Sequence, residues 1–221
     1  MTEILDEHRP EDEHRAAAAA RLQGERSTAV FRVLLDTIAR PGCVRDLPPF
    51  AQDGFLPPAC AVPLALADLG LTVAVTGADA FEAARVERVL RLATGASGAV
   101  VEHADLAVLL EADPVIVDRL RAGTELAPEA AARVAVQVED LELGVPFLLD
   151  GPGVAAPMRT TMGTDDAFLA ALRRRNARPP VGIDTWLVDR CGRIVALPRS
   201  SRIEVGTMPV GVASLPAGAV A

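Results

Sequence analysis

The stretch ADLAVLL, residues 104–110, is apolar at nearly every position. A strand with one wet face alternates apolar and polar residues, because successive side chains point to opposite sides of the pleat. A run without alternation needs an apolar layer on both faces, the situation of a parallel strand sandwiched between helices. This segment therefore requires helices on either side of a sheet, and the rest of the chain supplies them.

Upstream, VFRVLLDTIAR places Val30, Phe31, Leu34, Leu35 and Ile38 on one helical stripe, with Ser27 and Thr28 as caps and Arg40-Pro41-Gly42 as a stop. A short strand is predicted at 43–47, followed by the proline-rich loop LPPFAQDGFLPPAC. VPLALADLG reads as a short buried helix and LTVAV as a strand. Asp79 caps ADAFEAARVERVLRLA, whose Phe81, Val86, Val89, Leu90 and Ala93 are expected to face inward. Asp113-Pro114 opens DPVIVDRLRAG, which Gly123 closes. ARVAVQVED alternates, so a half-buried strand is expected there. VPFLLD is a further strand, Thr164 and Asp165 start the helix TDDAFLAALRRRNA, and DRCG joins IDTWLV to RIVAL as a hairpin. Helices and strands alternate early and strands pair late. The expected fold is an α/β three-layer sandwich with a mixed sheet, parallel toward its middle and antiparallel at one side.

The 221 residues suit one domain. A chain of this size buries about 70% of its unfolded surface and folds without disulfide or metal. With six Phe, one Trp and no Tyr, its core must be made of Ala, Val and Leu. The expected organisation is an acidic N-terminal tail at 1–20, a single α/β domain at 21–205 and an apolar low-complexity tail at 206–221. Cys43, Cys60 and Cys191 are odd in number and far apart, which points to a reducing compartment. The start of the chain is acidic where a signal peptide is basic and then apolar, and the longest apolar stretch is broken by Pro63 and Asp68. A cytoplasmic protein with no membrane contact is expected.

No lysine occurs anywhere; all 22 basic residues are arginine. That removes a Walker-type phosphate loop and a pyridoxal phosphate Schiff base. A net charge of −8 argues against nucleic acid, whose non-specific binding rests on phosphate neutralisation. Charge is also polarised, from −4 over residues 1–15 to +5 over residues 171–205. His103 is the single histidine beyond the leader, no G-x-S-x-G elbow is present, and no cysteine or histidine spacing fits a metal. Neither catalytic residues nor cofactor or metal ligands are therefore assigned. GPGV at 151–154 follows a strand, but Pro152 lacks the N–H a phosphate nest needs, so a tight turn is expected. Arg173, Arg174 and Arg175 are consecutive and fan around a helix, where they complement its C-terminal dipole rather than converge on one ligand.

The best anion or partner candidate is Arg199, Ser200, Ser201 and Arg202 in VALPRSSRIE. If the segment is extended, Arg199 and Ser201 share one face and Ser200 and Arg202 the other, so one ligand does not reach all four. The competing reading is a strand end salt-bridged to the acidic bulk.

FRVLLDTIARPG (31–42), ADLAVLL (104–110), GTELAPEAAARVAVQV (123–138), LLDGPGV (148–154), RPPVGIDTWLV (178–188) and VALPRSSRIEV (195–205) follow one another in an order that resembles the PhnH family, the H subunit of the carbon–phosphorus lyase core complex. The resemblance covers about residues 22–205. It implies an accessory, homodimeric, cytoplasmic subunit that joins the G, I and J subunits in phosphonate breakdown. It also implies a part in forming alpha-D-ribose 1-methylphosphonate 5-triphosphate from ATP and methylphosphonate, with no catalytic residue or cofactor of its own. The implied fold is similar to the large domain of pyridoxal-phosphate-dependent transferases, without the cofactor. Two alternatives stay open: a nucleotide- or phosphonate-binding transferase subunit working through Arg/Ser electrostatics, and a degenerate enzyme with a vestigial cofactor pocket.

Overall fold

Strand β4 (Leu106–Leu109) is buried at all four positions, as its unbroken apolar run requires. It lies inside a seven-stranded sheet in the order β1-β9-β8-β5-β4-β2-β3. The other strands of this sheet are β1 (Arg45–Asp46), β2 (Thr72–Thr76), β3 (Ser97–Gly98), β5 (Arg133–Gln137), β8 (Asp184–Val188) and β9 (Arg193–Leu197). β3, β2, β4, β5 and β8 run parallel, whereas β8–β9 and β9–β1 are antiparallel. A computed structural model describes residues 10–49 and 55–205 of the chain. The expected tail at 206–221 and the first nine residues of the leader lie outside them.

Alternate side chains of β2, β4, β5, β8 and β9 feed two cores. Val73, Val75, Leu106, Val108, Ala135, Trp186, Ile194 and Ala196 point toward α1 (Pro10–Ala20), α2 (Gly24–Ala39), α3 (Ala61–Leu66) and α4 (Ala80–Thr94). Ala74, Ala107, Leu109, Val134, Val136, Leu187, Val195 and Leu197 point the other way. There they meet α5 (Pro114–Arg119), α6 (Asp166–Arg175) and a small antiparallel sheet, β10-β6-β7. Its strands are β6 (Phe147–Asp150), β7 (Met158–Thr160) and β10 (Arg202–Val205). The result is the expected three layers around a mixed sheet.

Local chemistry explains the helices. The Asp79 carboxylate accepts from the N–H groups of Phe81 and Glu82, and Gly95 ends α4 in the left-handed region at φ 81°. Val86, Val89 and Leu90 are wholly buried, each contributing about 1.5–3 kcal/mol of transfer free energy. Phe81 is 65% exposed, against expectation, because Ala83 takes the inward position in that first turn. Asp113 caps α5 and Asp165 caps α6 in the same manner. α5 stops at Arg119, with Leu120 already extended, before reaching Gly123.

Several further expectations are corrected. Residues 10–20 of the expected tail form α1, whose Ala16, Ala17 and Ala20 are buried against the core. Methyl side chains let two helices approach closely, so an alanine run is good packing material. α2 begins at Gly24, so Ser27 and Thr28 sit inside it, and the Thr28 hydroxyl donates to the carbonyl of Gly24 instead of capping. Within α2, Val30, Leu34 and Thr37 are buried, but Phe31 and Leu35 are 41% and 54% exposed. β5 is covered on both faces, not one: Ala135 faces the α1–α4 side and Val134 and Val136 face the other. Its polar residues, Arg133 and Gln137, mark only its two ends.

Candidate functional site

The PRSSR segment is a turn and not a strand. The Ser201 N–H donates to the Pro198 carbonyl at 2.9 Å, and β10 begins only at Arg202. The turn closes one side of a cleft of about 490 Å³ between the end of α6 and the GPG turn after β6. Arg199, Ser200, Ser201 and Arg202 all line it, together with Gly151, Pro152 and Arg173. The structure thus brings the four sequence candidates to one place, with GPG opposite them. Gly153, at φ +84°, is needed there because a Cβ would lie 2.5 Å from the carbonyl oxygen of Ala39. Asn176 fixes the other wall: its side chain donates to the carbonyl and accepts from the N–H of Ile183.

The arginines of this cleft are largely committed. Arg199 meets Asp184 through Nε at 3.2 Å and Nη2 at 2.7 Å, while its Nη1 donates to the Pro128 carbonyl at 2.6 Å. Asp184 also accepts the Arg199 backbone N–H at 2.9 Å. Arg202 pairs with Asp150 at 3.1 Å and remains 68% exposed. Arg173 has no side-chain hydrogen bond or ion pair among the described residues, and Glu204 adds an opposing charge to the cleft. With both ion pairs counted, the cleft is close to neutral. The salt-bridged reading of VALPRSSRIE therefore describes Arg199 and Arg202. One polar group is left over: Ser201 Oγ is buried with no hydrogen-bond partner.

The carboxyl ends of parallel strands are the usual ligand site of open α/β sheets. Here that edge holds a self-contained knot. Arg193 reaches Asp189 at 2.6 Å, Asp140 at 2.6 Å and Glu142 at 2.7 Å. Its hydrogen bonds to Glu142 and Asp189 push its pKa above the ordinary arginine value. At the opposite, amino edge, Asp105 accepts from the N–H and hydroxyl of Thr72 at 2.9 and 2.7 Å and pairs with Arg121. Burial raises its pKa, but the Thr72 bonds and Arg121 together outweigh this and hold it below the usual carboxylate value. Both clusters tie elements together.

The remaining reactive side chains do not assemble. His103 is exposed in the turn before β4. Cys60 is fully buried, which drives its thiol pKa up and keeps it unreactive despite nearby Arg85. Arg173 and Arg174 are exposed and diverge, Arg174 pairing with Asp118 of α5. Among the described residues, no group of three or more His, Cys, Asp or Glu is placed to hold a metal. Among the same residues, no helix is long and apolar enough to cross a membrane.

A second cavity, missed in the sequence, lies on the other face of the sheet. It is a groove of about 410 Å³ lined by Phe31, Leu34, Leu35, Ile38, Leu66 and Leu71, with Trp186, Arg133 and Asp184 at its base. The Trp186 Nε1–H donates to the hydroxyl of Thr37 at 3.1 Å, which locks the indole under α2. The Arg133 backbone N–H donates to the Asp105 carbonyl at 3.0 Å, but its guanidinium has no hydrogen bond or ion pair among the described residues, although Asp184 is its neighbour across β5 and β8. The legible signal was the width of the α2 stripe: two apolar residues per turn are more than one core face can cover.

The family profile described as "Bacterial phosphonate metabolism protein (PhnH)" matches residues 20–204. A curated relative from Rhizobium meliloti (strain 1021), the alpha-D-ribose 1-methylphosphonate 5-triphosphate synthase subunit PhnH, is 28% identical over 188 residues. That alignment covers 80% of this chain and 89% of the relative.

Proposed function

The chain belongs to the PhnH family of bacterial phosphonate metabolism proteins, and from that premise we propose that it is an accessory, non-catalytic subunit of the carbon–phosphorus lyase assembly. In this reading it supports formation of alpha-D-ribose 1-methylphosphonate 5-triphosphate from ATP and methylphosphonate, alongside the G, I and J subunits in the cytoplasm. It acts as a homodimer built on one domain, residues 21–205. The observation that carries the reading is the family match over residues 20–204, together with a relative that aligns with 80% of the chain and is itself named a synthase subunit. Two features support it. The described nucleophiles and bases are buried, ion-paired or isolated from one another. An apolar helix face is left uncovered on α2, as a surface intended for another chain would be.

The same premise suggests a cofactor-free counterpart of the large domain of pyridoxal-phosphate-dependent transferases. The cofactor itself does not fit, because the chain has no lysine to form the aldimine. Co-expression with the G, I and J subunits tests the assembly: co-purification at fixed stoichiometry is expected. Separate elution of a well-folded chain would defeat the reading.

A second reading, anion handling in the cleft, has one observation in its favour: the unpartnered Ser201 hydroxyl beside Arg173 and Arg202. Calorimetry of the isolated chain with ATP and with methylphosphonate discriminates. Binding lost in Arg173→Gln promotes this reading, and absence of heat retires it for the free subunit.

A further inference from the structure

The groove under α2 combines two features that rarely coexist on an uncommitted surface. The first is apolar area. Phe31 and Leu35 stand one helical turn apart on the same line of α2 and are 41% and 54% exposed. Below them Ile38, Leu66, Leu71 and Trp186 form an apolar floor. The second is a single uncompensated charge. Arg133 lines the groove, and its guanidinium has no partner among the described residues, because the acid beside it, Asp184, is held by Arg199 through two side-chain contacts and a backbone N–H.

We propose that this groove is the docking site for a segment of a partner chain, in which apolar side chains fill the space beside α2 and an Asp or Glu pairs with Arg133. The proposal rests on the subunit reading given above and adds the surface and the chemistry of the contact. Charge complementarity selects the occupant. The chain as a whole carries −8, so an acidic segment finds little general attraction, while the unpaired guanidinium in the groove favours one there. An ion pair flanked by apolar walls is screened less than one at an open surface, so it fixes register as well as adding affinity. The long exposed line of α2 suits an amphipathic helix laid along it, with anchors at helical spacing, better than a compact small molecule.

The test uses the full chain co-expressed with the G, I and J subunits, with affinities measured by reassembly of the purified components. Phe31→Ser/Leu35→Ser is expected to weaken assembly by about a hundredfold or more, Arg133→Glu by about a hundredfold and Arg133→Gln by about tenfold. Wild-type affinity should fall with salt more steeply than that of Arg133→Gln. Each variant is checked by thermal melting, and the polar replacements on α2 are at exposed positions, so folding and docking are separable. If the wild type assembles and all three variants match it, the groove proposal falls while the subunit reading stands. If the wild type does not assemble, both fall. If the α2 variant instead converts an isolated dimer to monomer without weakening assembly with the other subunits, a second copy occupies the groove and the partner-chain proposal is overturned.

Discussion

The cleft beside α6 and the groove beneath α2 are similar in volume and opposite in character. The cleft contains the residues that look most chemical in the sequence, yet its Arg199 and Arg202 are answered by Asp184 and Asp150. The groove contains ordinary Leu, Ile and Phe residues and one arginine, Arg133, whose guanidinium has no partner among the described residues. A concentration of charge in sequence is thus a poor guide to a binding surface when the fold supplies a counter-ion for each member. Unsatisfied groups, apolar or ionic, are the better guide.

Four measurements bear on this contrast. The largest effect is expected from Asp184→Ala, which leaves the mostly buried guanidinium of Arg199 (17% exposed) without its acid. A loss of about 3 kcal/mol in urea denaturation is expected, at the lower end for broken buried pairs because Asp184 is 26% exposed. A loss below about 0.5 kcal/mol would place this pair among ordinary surface contacts and erase the distinction drawn here. Next is Asp105→Asn, on the same amino edge of the sheet but outside both cavities, at about 1–2 kcal/mol near pH 7. Because folding lowers the Asp105 pKa, its stabilisation is complete above the unfolded value and is lost as pH falls through the folded one. The gap between wild type and variant should therefore shrink below about pH 4 in parallel denaturation curves. Trp186→Phe keeps most of the groove's floor but removes the donor to Thr37, and about 1 kcal/mol should be lost, read as a lower midpoint at unchanged slope. The smallest effect belongs to Arg202→Ala, within about 0.5 kcal/mol by thermal melting, because this pair is exposed.

Much of the architecture was legible. The unbroken run of β4, the aspartate caps at 79, 113 and 165, and the DRCG hairpin each correspond to the element expected of them. What misled was context supplied by distant residues. The alternation of β5 suggested a wet face, but neighbouring strands and helices cover both sides of it, and small Ala135 fits under the α layer. Ser27 and Thr28 are good caps by type, yet the α2 helix continues past them to Gly24. VALPRSSRIE, read for anion or partner contacts, lines a cleft. Its partners, Asp184, Asp150 and the Pro128 carbonyl, lie 15, 52 and 71 residues away in sequence, so the neutralisation of its arginines was invisible before folding. The groove was hidden for a related reason. A helical stripe announces that it is apolar, not which of its members a neighbour leaves uncovered.

Asp184 lines the groove while the arginine that grips it lines the cleft. A single carboxylate is therefore a party wall between two rooms on opposite layers of the molecule. Anything that draws Arg199 away from Asp184 would leave a negative charge next to Arg133. If a ligand in the cleft does so, reciprocity of linked equilibria would require an occupant paired with Arg133 to alter that ligand's affinity by the same factor.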